Sequence, residues 1–198
     1  MFAWINFAIL LFATIFFLFF YIRSVSPAKR EKIIGPRAYH LCFYDRLAAC
    51  AFELIITVNF VLYFFFPLAS PLPEKFQWPW WISVFIAVII GLPAILIMVI
   101  GICDAGVETL RPKKEHGMYS GIYTRMRHPQ AMGEVFLFPV IAILLHSPFL
   151  TVFSLIYFPI FILMCYAEEQ DLLLRYGDAY ADYCRNTGAF WPKRKNNA

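Results

Sequence analysis

The stretch Ala131–Ala167, AMGEVFLFPVIAILL-HSP-FLTVFSLIYFPIFILMCYA, decides the fold: His146, Ser147 and Pro148 separate two predominantly apolar runs. Read as one helix, its 37 residues would reach about 55 Å at 1.5 Å per residue, nearly twice the hydrocarbon core of a bilayer. The block must therefore fold back. Its reading is two membrane spans joined as a tight helical hairpin, with Pro139 and Pro159 kinking the two arms.

Working outward, three more apolar runs approach the roughly 20 residues that a membrane-crossing helix needs. They are Phe2–Ile22, broken by Asn6 and Thr14; Leu47–Ala69, which contains Glu53 and Asn59; and Pro79–Cys103, with Gly91 and Pro93 at its middle. The first lacks a basic leading region and is too long for the apolar core of a signal peptide, so it reads as a span. The expectation is an all-α integral membrane protein, a single domain over 1–198 with five transmembrane helices.

Composition agrees. Of 198 residues 61% are hydrophobic and only 15% charged, with a mean hydropathy of +0.65, against about 25% charged in an average soluble domain. That balance excludes a disordered chain and argues against a soluble globule. The five cysteines are scattered without a C-x-x-C pair, which argues against a disulfide framework or a zinc site. No Gly-rich phosphate loop, nucleic-acid patch or inverted transporter repeat is visible.

Charge orients the chain. Segments 23–46, 104–130 and 168–198 carry six, five and five Lys/Arg, while 70–78 carries Lys75 alone and the 146–148 turn none. With five spans, 16 of the 17 basic residues fall on one side, so the positive-inside rule places the N-terminus outside and the C-terminus in the cytoplasm. Trp78, Trp80 and Trp81 then anchor the outer face, with Trp4 beside them. Segments 104–134 and 168–192 become the cytoplasmic catalytic and cofactor segments, the latter including a C-terminal helical piece.

Polar residues concentrate at that cytoplasmic edge. Arg127-His128-Pro129 precedes the fourth span, with Pro129 suited to a helix start and the two basic residues left at the surface. Alone this pair reads first as a positive-inside anchor; Gly121, Tyr123, Gly133 and Glu134 nearby raise the reading as a site. The fifth span ends in Glu168-Glu169-Gln170-Asp171, acids that run against the basic trend and are functional candidates at that depth. Gly177 is a natural C-cap, Asp178 an N-cap for a short segment carrying Tyr180 and Tyr183, and Trp191-Pro192 closes it. Those aromatics read either as interfacial anchors or as a lid. Within the second span, Glu53 and Asn59 read as groups paired inside the bundle.

The two-part pattern Gly121-x-Tyr123-x-x-x-Arg127-His128-Pro129-x-x-x-Gly133, then Glu168-Glu169-x-x-Leu172-x-x-x-Tyr176-Gly177-x-x-Tyr180-x-x-Tyr183, closely resembles the isoprenylcysteine carboxyl methyltransferase family. The short five-span form resembles its archaeal, methanogen-type member, and the match covers about 118–192. The resemblance implies an S-adenosylmethionine-dependent enzyme that esterifies the carboxylate of a C-terminal prenylated cysteine at the cytoplasmic membrane interface. It places Glu115, His116, Gly117, Met118 and Tyr123 in the cofactor pocket, continued by His128, Pro129, Gln130 and Ala131. Glu168 would hold a polar group of the cofactor and Arg127 would order the site. Arg127 and Arg175 are the cations available to fix the acceptor anion.

Two positions depart from the family pattern: Ala131 stands where Tyr is usual, and Met164 where many eukaryotic members carry Arg. The alternatives are a phospholipid or amine N-methyltransferase, which would need a base such as His128 or a glutamate, and an NADPH-dependent membrane reductase of related fold. The partners implied are the lipid bilayer and the prenylated cysteine, without nucleic acid, metal or an obligate protein partner.

Overall fold

A computed structural model describes residues 1–112 and 120–193. The helices are α1 (Phe2–Ser24), α2 (Pro27–Ile34), α3 (Arg37–Phe65), α4 (Trp80–Ala105), α5 (Pro129–Leu144), α6 (Pro148–Ser154), α7 (Tyr157–Tyr176) and α8 (Asp178–Asn186). Short 3-10 turns lie at Gly106–Thr109 and Gly121–Thr124.

Among the described residues four helical stretches are long and apolar enough to cross a membrane: Phe2–Ser24, Arg37–Phe65, Trp80–Thr109 and Pro148–Tyr176. This corrects the expectation of five spans ending in a tight hairpin of two. The apolar block instead divides unequally, into a short helix and one bent helix. Begun by Pro129 and cut off by the His146–Pro148 turn, α5 has 16 residues, about 24 Å of rise and short of a full span.

The second arm runs 29 residues as α6 and α7, bent at Leu155–Ile156. Pro159 accounts for the bend, because it has no N–H for the Leu155 carbonyl four residues back. The chain uses tighter bonds there, Leu155 N–H to Val152 O at 3.2 Å and Phe158 N–H to Leu155 O at 3.3 Å. Pro139, by contrast, lies inside α5 without ending it.

Two helix pairs form the body: α1 packs along α3, and α4 along α5, with α6 and α7 closing against them. Gly133 permits the second pairing, since a Cβ there would collide with the Ala94 carbonyl and come within 2.7 Å of Met98 Cβ. The core is aromatic. Tyr157, fully buried, stacks on Phe138 at 3.8 Å, and its hydroxyl meets Thr14 Oγ1 at 3.0 Å. In lipid, where apolar burial drives little association, such close packing and interhelical hydrogen bonds hold helices together.

The two ends of the bundle differ. At one, Phe2 meets Phe66, Trp80 Nε1–H donates to Leu144 O at 3.0 Å, and Ser83 Oγ bonds His146 Nδ1 at 2.8 Å. At the other, Arg46 Nε donates to Ser24 Oγ at 2.9 Å, Gln130 Nε2 to Gly101 O at 3.2 Å, and α8 follows α7. The basic segments 23–46, 104–112, 120–130 and 168–193 thus gather at the second end, and the N-terminus and α8 lie at opposite ends.

Candidate functional site

At the basic end, Pro129 takes the first position of α5 and His128 caps it, a place where the missing proline N–H costs nothing. The backbone just before it is clasped by the C-terminal segment: Arg127 N–H donates to Gly188 O at 2.9 Å and His128 N–H to Ala189 O at 3.0 Å. Phe190 lies on the His128 ring, centroids 5.8 Å apart. The Arg127 side chain ties the same pieces together, donating to Glu169 Oε1 at 2.8 Å and to the Cys184 and Thr187 carbonyls.

His128 sits between the two glutamates of α7. Its Nε2 is 2.8 Å from Glu169 Oε1 and its Nδ1 3.5 Å from Glu168 Oε2. Burial pushes this imidazole down, yet hydrogen bonds to Cys165, Glu168 and Glu169 outweigh it and hold the ring well above the ordinary histidine value. It is an imidazolium neutralising an acidic pair. Burial also opposes the charge on Arg127, but the Glu169 contact more than restores it.

The 3-10 turn before α5 is fixed from α4. Asp104 Oδ2 accepts the Ile122 N–H at 2.7 Å, and Gly121, at φ +64°, occupies the spot where any Cβ would strike that carboxylate. The turn presents Tyr123, whose hydroxyl donates to Gly101 O at 3.3 Å and accepts from Gln130 Nε2 at 2.9 Å. Tyr183 of α8 donates to Tyr123 O at 2.6 Å, fastening α8 over the turn. Burial raises the phenols of Tyr123 and Tyr180 strongly and takes Tyr183 up to about 12, so all three stay neutral donors.

These side chains line a cleft, about 590 Å³ counted out through its open mouth, walled by Tyr123, His128, Gln130, Glu168, Tyr180 and Tyr183. Among the described residues Glu168 has one ion-pair partner, His128, and its carboxylate also lines the cleft. A second cavity, about 720 Å³ to its open side, occupies the seam between the two helix pairs. The two share Tyr21, Arg46, Thr109 and Gln130 as common wall.

Of the residues singled out in the sequence, Tyr123, Arg127, His128, Gln130, Ala131 and Glu168 line the cleft together. Pro129 is buried behind it as a helix start. Arg175 stands apart, 3.7 Å from Glu108 and over the Tyr176 ring. Glu115, His116, Gly117 and Met118 lie outside the described residues. Met164 is buried in the core at 1% exposure, so no polar group acts from that position. Gly177, at φ +56°, both ends α7 and caps α8, leaving Asp178 in the first turn rather than at the cap.

Arg46 and Glu134 were not assigned to the site from the sequence. Arg46 donates to Ser24 Oγ and Thr109 O, lies 4.7 Å over the Tyr21 ring and faces both cavities. Its signal was available: Arg46, Cys50 and Glu53 recur at i, i+4 and i+7, a polar line on one face of an apolar helix. No family model matches the chain, and no match is found among curated proteins or solved structures.

Proposed function

We propose that the protein is an integral membrane methyltransferase that uses S-adenosylmethionine to esterify a carboxylate on a lipophilic acceptor of the prenylcysteine type. The basic end of the bundle faces the cytoplasm, as the positive-inside rule requires of so lopsided a charge distribution. The observation that carries this reading is the junction of two unlike cavities at one cation. A polar cleft suited to a water-soluble cofactor meets a largely apolar seam suited to a lipid chain, with Arg46 between them.

The cleft fits the cofactor by its donor set. Glu168 offers a carboxylate to a cationic ligand through charge-assisted contact, and neutral Tyr123, Tyr180 and Tyr183 offer donors and ring faces. When bound, S-adenosylmethionine supplies a methyl group on a sulfonium sulfur, which keeps the S–C electron pair as a carboxylate oxygen forms the new C–O bond; no proton moves. No general base is required, because a carboxylate is already ionised at neutral pH.

The chain's own contribution is placement. His128 holds Glu168 and Glu169 in position, Arg127 locks the C-terminal segment onto α5, and the α8 tyrosines keep water from the acceptor. Arg46 holds the acceptor anion at the cleft. Arg127 and Arg175 are less suited, each being committed to a glutamate.

Calorimetric binding of S-adenosylmethionine to the protein in detergent tests the cofactor reading. Glu168→Gln is expected to weaken binding at least tenfold with the melting temperature little changed, whereas Arg46→Gln leaves binding within about threefold and raises the acceptor KM. Unaltered affinity in Glu168→Gln removes Glu168 from the cofactor site, and no binding by the unmodified protein removes the reading.

A further inference from the structure

The seam cavity contains more charge than a hydrocarbon chain can use. Its wall is chiefly apolar, including Phe17, Met98, Ile102 and Leu137, yet Glu53 of α3 and Glu134 of α5 both line it. The two acids come from α3 and α5, which meet here, and both open on the same cavity. An ionisable group inside a membrane bundle is costly to insert and marks a functional position.

Position along the helices gives the order of charges. Arg46 at the common wall and Glu53 deeper in the seam lie seven residues apart on α3, about 10 Å of rise. Glu134 stands one turn beyond Gln130 on α5, so both acids sit on the lipid side of the wall residues. From the cleft inward the cavity therefore presents a cation, then an acid pair, then apolar walls.

Resting on the methyl-ester reading above, we propose that the acceptor is a zwitterionic amphiphile, its anionic group held by Arg46 and its primary ammonium by the Glu53–Glu134 pair, with the hydrocarbon chain in the seam. An S-prenylated cysteine with a free amino group has this chemistry; phosphatidylethanolamine shares the ammonium and the hydrocarbon chain but has no carboxylate to esterify. A cysteine whose nitrogen lies in an amide bond lacks the ammonium.

The test compares S-farnesylcysteine with N-acetyl-S-farnesylcysteine as acceptors of labelled methyl, scored as base-labile ester, for the full chain in detergent–lipid micelles. Charge-assisted hydrogen bonds of this kind discriminate by about tenfold or more in kcat/KM. That preference for the free amine is expected in the unmodified protein and is expected to shrink to within about twofold in Glu134→Gln and Glu53→Gln. Independently of turnover, S-farnesylcysteine should raise the melting temperature more than its acetylated analogue, and the difference should vanish in the variants.

Phosphatidylethanolamine, which offers the ammonium and hydrocarbon chains without a carboxylate, is added as a competitor: inhibition that weakens in Glu134→Gln supports the ammonium site, and inhibition unchanged in that variant counts against it. Equal ester formation from both cysteine analogues overturns the ammonium site while leaving the methyl-ester reading intact. No ester from either analogue overturns the reading and the inference together. The comparison in the unmodified protein needs no variant to fold.

Discussion

Replacing His128 by Gln removes the one cation among the described residues that touches both glutamates of α7, while keeping a side chain of similar reach. The His128 side chain is 4% exposed, and its partners Glu168 and Glu169 are 31% and 21% exposed. Breaking a fully buried ion pair by removing one partner costs about 3–5 kcal/mol. Because water reaches part of both carboxylates here, the expected loss falls below that range, about 2–3 kcal/mol. For a chain of this size each kcal/mol moves the melting temperature by about 2–4 °C, so a fall of roughly 4–12 °C is expected.

The pH dependence carries the sign. The folded-state value of His128 is raised, so its stabilisation is complete below the ordinary value near 6.5 and is lost as pH climbs from there through the folded-state value. Intrinsic tryptophan fluorescence melts in detergent, run from pH 5 to 9 at one scan rate, read both quantities. The unmodified protein should lose stability above about pH 6.5 more steeply than His128→Gln. A variant within 2 °C of the unmodified protein at pH 6, or a parallel pH profile, refutes the assignment of His128 as a buried imidazolium.

Two further outcomes follow from packing and from orientation. Gly133→Val forces a side chain into the Ala94 carbonyl and Met98 and is expected to cost about 1–3 kcal/mol or more, whereas Gly91→Ala, whose Cβ would lie 3.2 Å from a Val140 methyl, costs less; paired melts decide, and equal stability contradicts the close approach of α4 and α5. In oriented vesicles a membrane-impermeant thiol reagent should reach the partly exposed Cys184 from the cytoplasmic side, and labelling from the opposite side alone would reverse the orientation.

The helical, membrane-embedded character was readable from run length and composition, because an apolar stretch of more than 20 residues has few other uses. The apolar block after Arg127-His128-Pro129 was misread for a local reason. Its length demands a reversal, but the first arm, begun at Pro129 and stopped by the His146–Pro148 turn, has 16 residues and is too short to count as a span, while Pro159 bends the second arm without dividing it. The clustering of Tyr123, His128, Gln130 and Glu168 was legible because the motif halves flank one turn of chain. Arg46 was legible only through its i, i+4, i+7 register with Cys50 and Glu53, which marks a shared helix face but not the two cavities that this face meets. Glu134 adjoined the motif, but its partner Glu53 lies 81 residues earlier and becomes its neighbour only when α3 meets α5.

The most direct test of the account is transfer of labelled methyl from S-adenosylmethionine by the purified protein in lipid, offered a prenylcysteine and phosphatidylethanolamine together. Label released by mild base is a methyl ester, the result expected here. Base-stable label on the amine, or no label on either acceptor, contradicts carboxylate methylation.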